Sequence, residues 1–228
     1  MKAYGQYCPV AKGAEIFAER WMPLVLRELL RGSTRFNDLH RGVPLMSRTL
    51  LARRLRQLEE VGAIERKSAM HGWEYHLTAA GRAFAPVVQQ LGEWGQRWFR
   101  SRLESPELDV GVLVWDMHFS IKPGAFPGAR CAVQFDFSGV SDARRAWWLV
   151  CEGDVVDICP TDPGFGIDLY VATDLQTMTR VWMGEMPVAL AIRTGQIELE
   201  GRPEFRKCFE QWLGLSAYAN ITDSREHA

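Results

Sequence analysis

The stretch SRTLLARRLRQLEEVGAIER, Ser47 to Arg66, places five arginines in one short segment that runs into a glycine. Ser47 can accept a hydrogen bond from a first-turn N–H and Gly62 suits a helix end, so the spacing predicts a helix over Arg48–Val61. Leu51, Leu55 and Leu58 fall at i, i+4 and i+7, which makes one buried stripe. Thr49, Arg53 and Arg56 repeat that spacing two residues earlier, a rotation of about 200°, so they face away from the core. The next member of that row is Glu60, which a phosphate backbone would repel. The basic face is therefore confined to the first turns, with Arg48 and Arg54 beside it. A helix that enters a nucleic-acid groove by its N-terminus has this pattern. A plainly solvated helix with surplus arginine is the alternative that the stripe alone leaves open.

Working outward, AEIFAERWM, PLVLRELLRG and RFNDLHRG read as three preceding helices, with Pro23 in a first turn and Gly32 and Gly42 at helix ends. The third, about Arg35–Arg41, and the arginine stretch make a helix-turn-helix around VPLM. IERKS and WEYHL follow as a two-stranded wing whose tip carries Arg66, Lys67 and His71. Candidate DNA contacts are thus Arg35, Ser47, Arg48, Thr49, Arg53, Arg54, Arg56, Arg66, Lys67 and His71. Thr78 then caps a long helix, bent by Pro86, in which Phe84, Val87, Leu91, Trp94 and Trp98 recur at spacings of 3 and 4. Such a seam suits a partner helix, and two tryptophans along it favour a second subunit over packing within one chain.

Charge divides the chain where composition does not. Residues 1–104 hold 17 Lys and Arg against 10 Asp and Glu, and residues 105–228 hold 10 against 18, which recovers the overall −1. A basic domain, 1–104, is expected to precede an acidic one, 105–228, and only the first suits nucleic acid. The polar, proline-containing SRLESPELD is the expected linker. The start MKAYGQYCPVAKG lacks the apolar run of a signal peptide, and no segment reaches the ~20 apolar residues of a membrane span, so a cytoplasmic protein without membrane contact is expected. Five cysteines without a CxxC pair argue against disulfides and structural zinc. Cys151 and Cys159 flank a hairpin turning at Gly153-Asp154, which sets Cys151 opposite Val156 and turns Cys159 to the other face. No histidine cluster suggests a metal, and no nucleophile elbow, phosphate loop or paired-carboxylate spacing suggests catalysis or a cofactor.

The quoted stretch, preceded by YCPVAKGAEIFAERWMPLVLRELLRGSTRFNDLHRGVPLM and followed by WEYHLTAAGRAFAPVVQQLGEWG, resembles the HxlR-type winged-helix transcription regulators from about Tyr7 to Gly95. The CPV start, the tryptophan before the second helix, RFNDL, RLRQLEEVG and Y-x-LT-x-x-G occur in family order. The resemblance implies a homodimer, with its recognition helices in successive major grooves of a palindromic operator and its wings on flanking DNA. Two positions depart from the family. The wing lacks the usual Pro-Pro, and the usual Gly-Lys before the tryptophan is Glu19-Arg20. In some relatives the CPV cysteine is a redox sensor, and Cys8 holds that place, with Lys12 one turn away; a structural cysteine is the other reading.

In the second half, VGVLVWDMHFSI, LQTMTRVWMGE, PVALAIRTG and PEFRKCFEQWL read as helices, and ARCAVQFDF, AWWLVCEGDVVDIC, IDLYVATD and IELEG as strands. Their order from Asp168 to Leu213 resembles the sterol-carrier-protein type lipid-binding domain, which implies a sheet covered by helices over an apolar tunnel. Phe135, Phe137, Trp148, Leu169, Val171, Met178, Trp182 and Phe209 are the candidate lining residues, with a solid core as the alternative for any one of them. The whole reads as an α+β protein, a winged helix-turn-helix followed by a mixed α/β sterol-carrier-like domain. Its expected function is a homodimeric repressor-type regulator responsive to a small apolar or acyl ligand. A redox regulator acting through Cys8, and a lipid carrier with a vestigial winged helix, remain as rivals.

Overall fold

Arg48–Glu60 is helical in the computed structural model, which describes residues 3–70, 72–98 and 108–221. Ser47 caps this helix, α4, by accepting a hydrogen bond from Leu50 N–H at 3.3 Å, and Gly62 ends it at a positive φ of 69°. Three helices precede it: α1 (Pro9–Phe17), α2 (Met22–Leu30) and α3 (Phe36–Arg41). The hairpin β1 (Ile64–Ala69) and β2 (Gly72–Leu77) follows. Leu51, Leu55 and Leu58 pack with Met22, Leu26, Leu39 and Ile64 into one core, which Tyr75 and Leu77 of the hairpin cover. This is a winged helix-turn-helix. Tyr75 N–H donates to Thr34 O at 2.8 Å and Arg35 bridges Glu74, which ties the wing to the start of α3.

The long helix expected from Thr78 is two. Thr78 caps α5 (Ala79–Arg82), and α6 (Ala85–Trp98) starts afresh beyond Ala83-Phe84. Pro86 has no N–H to bond back into α5, so it sits in the first turn of a new helix and does not bend an old one. The chain divides into two compact units, Met1–Gly95 and Gln96–Ala228. The expected linker lies mostly among residues 99–107, outside the described residues.

In the second unit a five-stranded sheet has the order β5-β4-β3-β6-β7, from β3 (Arg130–Ser138), β4 (Ala146–Glu152), β5 (Val155–Cys159), β6 (Leu169–Asp174) and β7 (Ile197–Gly201). Only β3 and β6 run parallel. Helices α7 (Val110–His118), α8 (Leu175–Trp182), α9 (Val188–Arg193), α10 (Pro203–Lys207) and α11 (Phe209–Leu213) bury one face of it. The strand, two helices, strand and closing helix expected from Asp168 onward are present, with the closing helix interrupted at Cys208. The β4–β5 turn pairs Cys151 with Val156 as the spacing requires.

Candidate nucleic-acid interface

Along α4 the two rows separate cleanly. Leu51, Leu55 and Leu58 are buried, while Arg48, Thr49, Arg53 and Arg56 are exposed. Among the described residues neither Arg53 nor Arg56 makes a hydrogen bond or ion pair, so both guanidinium groups keep all their donors for something else. Arg48 is held in place. Its guanidinium donates to Asn37 Oδ1 at 2.6 Å and lies 5.4 Å from the centre of the Phe36 ring. Arg35 keeps a looser contact, Nε 3.6 Å from Glu74 Oε1. Ser47 uses one oxygen lone pair on its cap and retains its O–H.

Arg54 does not belong to this face. It is 4% exposed, donates to Arg20 O at 3.1 Å and to Gln57 Oε1 at 2.8 Å, and pairs with Glu19 at 2.7 Å. One residue past Arg53 the helix has turned about 100°, which carries the side chain from the outer row to the flank against the α1–α2 corner. There the Glu19 carboxylate and the Arg20 carbonyl bind it. Arg54 is a structural ion pair.

The wing residues also separate. Arg66 and Lys67 lie within β1, not at its tip, and by strand alternation they face opposite ways. Lys67 pairs with Glu65 at 2.7 Å, and Arg66 with Glu59 at 3.8 Å. The exposed tip residue is Met70, and His71 lies outside the described residues.

The HxlR-like helix-turn-helix family model matches residues 16–102. YvaP of Bacillus subtilis, named an uncharacterized HTH-type transcriptional regulator, is 33% identical over 97 residues, which is 41% of this chain and 90% of that protein. The chain belongs to the HxlR-like family. A second such regulator, sll1512 of Synechocystis sp., is 37% identical over 41% of this chain and 72% of its own length. A solved structure of the redox regulator HypR in its oxidized form aligns at 32% identity, over 39% of this chain and 95% of that one, with a TM-score of 0.37. The relatives are named as transcriptional regulators and not as enzymes.

In this HxlR-like unit Cys8 is exposed and stands at the N-cap of α1. Backbone N–H groups of Ala11 and then Val10 hold its thiol below the ordinary range. Lys12 plays no part in this, being paired with Glu15. The seam residues Val87, Leu91, Trp94 and Trp98 are all exposed on α6. Phe84 leaves the row: it is half-buried, stacks on Phe17 with centroids 5.4 Å apart, and packs on the core of its own unit.

Of the eight candidate lining residues in the second unit, seven meet between sheet and helices. Phe135, Phe137, Leu169, Val171, Met178, Trp182 and Phe209 pack there against one another and around Trp212, a residue absent from the candidates. The signal for Trp212 is present in the sequence, since Phe209, Trp212 and Leu213 fall at i, i+3 and i+4. Trp148 is the exception. Its register partners are Gln134 and Cys159, whereas Phe135 pairs with Trp147, so Trp148 points to the opposite face of the sheet. Among the described residues no group of three His, Cys, Asp or Glu could hold a metal ion, and no helix is long and apolar enough to cross a membrane.

Proposed function

We propose that the chain is a DNA-binding transcription regulator, acting as a homodimer in the cytoplasm, whose α4 helices read the half-sites of a palindromic operator. The observation that carries this is the division of α4. Its leucines are spent on the core, while Arg53 and Arg56 stand exposed, without partners among the described residues, on the helix that carries the braced Arg48. An unpaired pair of guanidinium groups on one rigid helix face suits base edges or phosphates. Family membership supports the same reading. The exposed row on α6 supplies an apolar surface for a two-fold partner. The order of elements after Asp168 supports a sterol-carrier-like second domain that takes a small apolar or acyl ligand and represses or releases DNA accordingly.

Fluorescence anisotropy with DNA from upstream of its own gene tests the main reading. Specific binding should weaken in Arg53→Ala and Arg56→Ala with the fold intact. Binding of wild type no tighter than to unrelated DNA of equal length would refute it. Native mass spectrometry of the purified protein tests the ligand. One observation favours a second reading, redox control: the lowered thiol of Cys8 at an exposed helix start. Loss of DNA binding on quinone or peroxide treatment, abolished by Cys8→Ser, would select it.

A further inference from the structure

Trp73 is half exposed and contributes nothing to the core of its unit, yet it is the largest side chain on the wing. Its register partner on β1 is Ser68, and Arg66 faces Tyr75, so Trp73 and Arg66 form a diagonal pair on one face of the hairpin. That face is the one whose inner members, Ile64, Tyr75 and Leu77, pack on the core. The pair continues this row outward past the point where the core ends. The Arg66 guanidinium carbon lies 4.4 Å from the centre of the Trp73 ring, a cation–π stack. Its Nε also lies 3.8 Å from Glu59 Oε1 at the C-terminal end of α4. Two half-exposed charges at that distance hold each other weakly, and a phosphate could displace the glutamate.

We propose that Trp73 is a positioning residue for DNA binding: its indole holds Arg66 in the angle between α4 and the wing, ready for a backbone phosphate just outside the half-site that α4 reads. This rests on the regulator reading above. A free arginine on a two-stranded ribbon loses rotamer freedom when it meets a phosphate, and a ring that already holds it flat removes much of that loss. Contact with the ring face uses none of the guanidinium's N–H donors. Lys67, on the opposite face and paired with Glu65, cannot substitute for it.

The test uses the full-length protein and its footprinted operator in two duplexes, one with long flanks and one trimmed to the half-sites. Wild type should bind the long duplex roughly three- to tenfold more tightly, the weight of one well-held charge interaction per wing. Arg66→Ala and Trp73→Ala should bind both lengths alike, with a salt slope on the long duplex lower by about one for each phosphate that is no longer neutralised. Trp73→Phe, which keeps a ring face, should retain most of the flank dependence. A Trp73→Ala protein with wild-type slope and flank dependence would overturn the proposal, and so would one that binds both duplexes more weakly by the same factor. Failure of the regulator reading is separate, since it shows as Arg53→Ala and Arg56→Ala leaving the trimmed duplex unaffected.

Discussion

Arg53 and Arg54 are neighbours with the same side chain, and the structure predicts that alanine at each will give opposite phenotypes. Arg53 is exposed and unpartnered among the described residues, so Arg53→Ala should alter stability by no more than about 0.5 kcal/mol. Its removal should appear in DNA affinity, where one base contact is worth ~1–3 kcal/mol, roughly 5- to 150-fold. Arg54 is buried with donors to Arg20 O, Gln57 Oε1 and Glu19. Truncating it strands the Glu19 carboxylate and removes a packed aliphatic stem. Breaking a buried pair costs ~3–5 kcal/mol, but Glu19 is 31% exposed and recovers some hydration, so about 2–3 kcal/mol is expected. Urea denaturation gives the stability and anisotropy the affinity, with Arg54→Ala assayed well below its own midpoint. The double variant Glu19→Gln/Arg54→Met should recover much of the stability, because it leaves no uncompensated charge. If Arg54→Ala is as stable as wild type and loses affinity as Arg53→Ala does, Arg54 swings out to DNA and the assignment is wrong.

Three further outcomes are expected. A methyl group at Gly42 would stand 2.2 Å from the carboxyl of the fully buried Glu28, which Arg27 grips at 2.8 Å. Gly42→Ala should therefore cost about 2–4 kcal/mol in a thermal or urea melt, and a neutral result would show that this carboxylate moves freely. Leu91→Asp with Trp98→Asp should lower the mass in light scattering from that of a dimer to that of a monomer of 25.9 kDa without melting either unit; an unchanged mass removes α6 from the interface. Because backbone N–H groups favour the Cys8 thiolate, alkylation at Cys8 should set in at lower pH than for an unfolded peptide of the same sequence. Cys131, which burial pushes up to about 12, and Cys151 and Cys208, which burial also pushes up, should stay unmodified in the folded protein. Equal labelling of the four at pH 7 would contradict this.

The helix-turn-helix is legible in the sequence because its determinants are local. The cap at Ser47, the glycine after Val61 and the leucine period all lie within one segment, and each fixes the same helix. Spacing alone puts Arg54 on the wrong face because its fate depends on Glu19 and Arg20, which reach it only through the fold. Glu19-Arg20, read in the sequence as a departure from the pattern the resemblance implies, binds the buried arginine together with Gln57. The Phe84 seam position fails for a related reason. Spacing identifies a row on a helix but not where the helix begins. The break ahead of Pro86 leaves Phe84 outside α6 and free to stack on Phe17.

The second unit shows how far parity governs what composition cannot. Trp147 and Trp148 are adjacent and equally apolar, so hydrophobicity alone cannot choose between them as the one that faces the core. Register chooses. Pairing Phe135 with Trp147 on β4 puts Trp147, Leu149 and Cys151 on the helix-covered face, and it sends Trp148 to the other with Gln134 and Tyr170. The same pairing brings Cys131 opposite Cys151, two buried thiols that no spacing along the chain links. Sequence could place the β4–β5 turn, because Gly153-Asp154 is local, and so it placed Cys151 against Val156 and turned Cys159 away. It could not place β3 against β4, because that register is set by the connection through Ser138–Arg145, where Phe137 N–H donates to Arg145 O at 2.8 Å and Arg145 pairs with Asp136 at 2.7 Å. A one-residue slip of β4 there would exchange the two tryptophans and turn Cys151 away from the helix-covered face, leaving Cys131 without its opposite thiol. The contents of this core are therefore fixed by a polar loop at the end of two strands as much as by the apolar side chains within it.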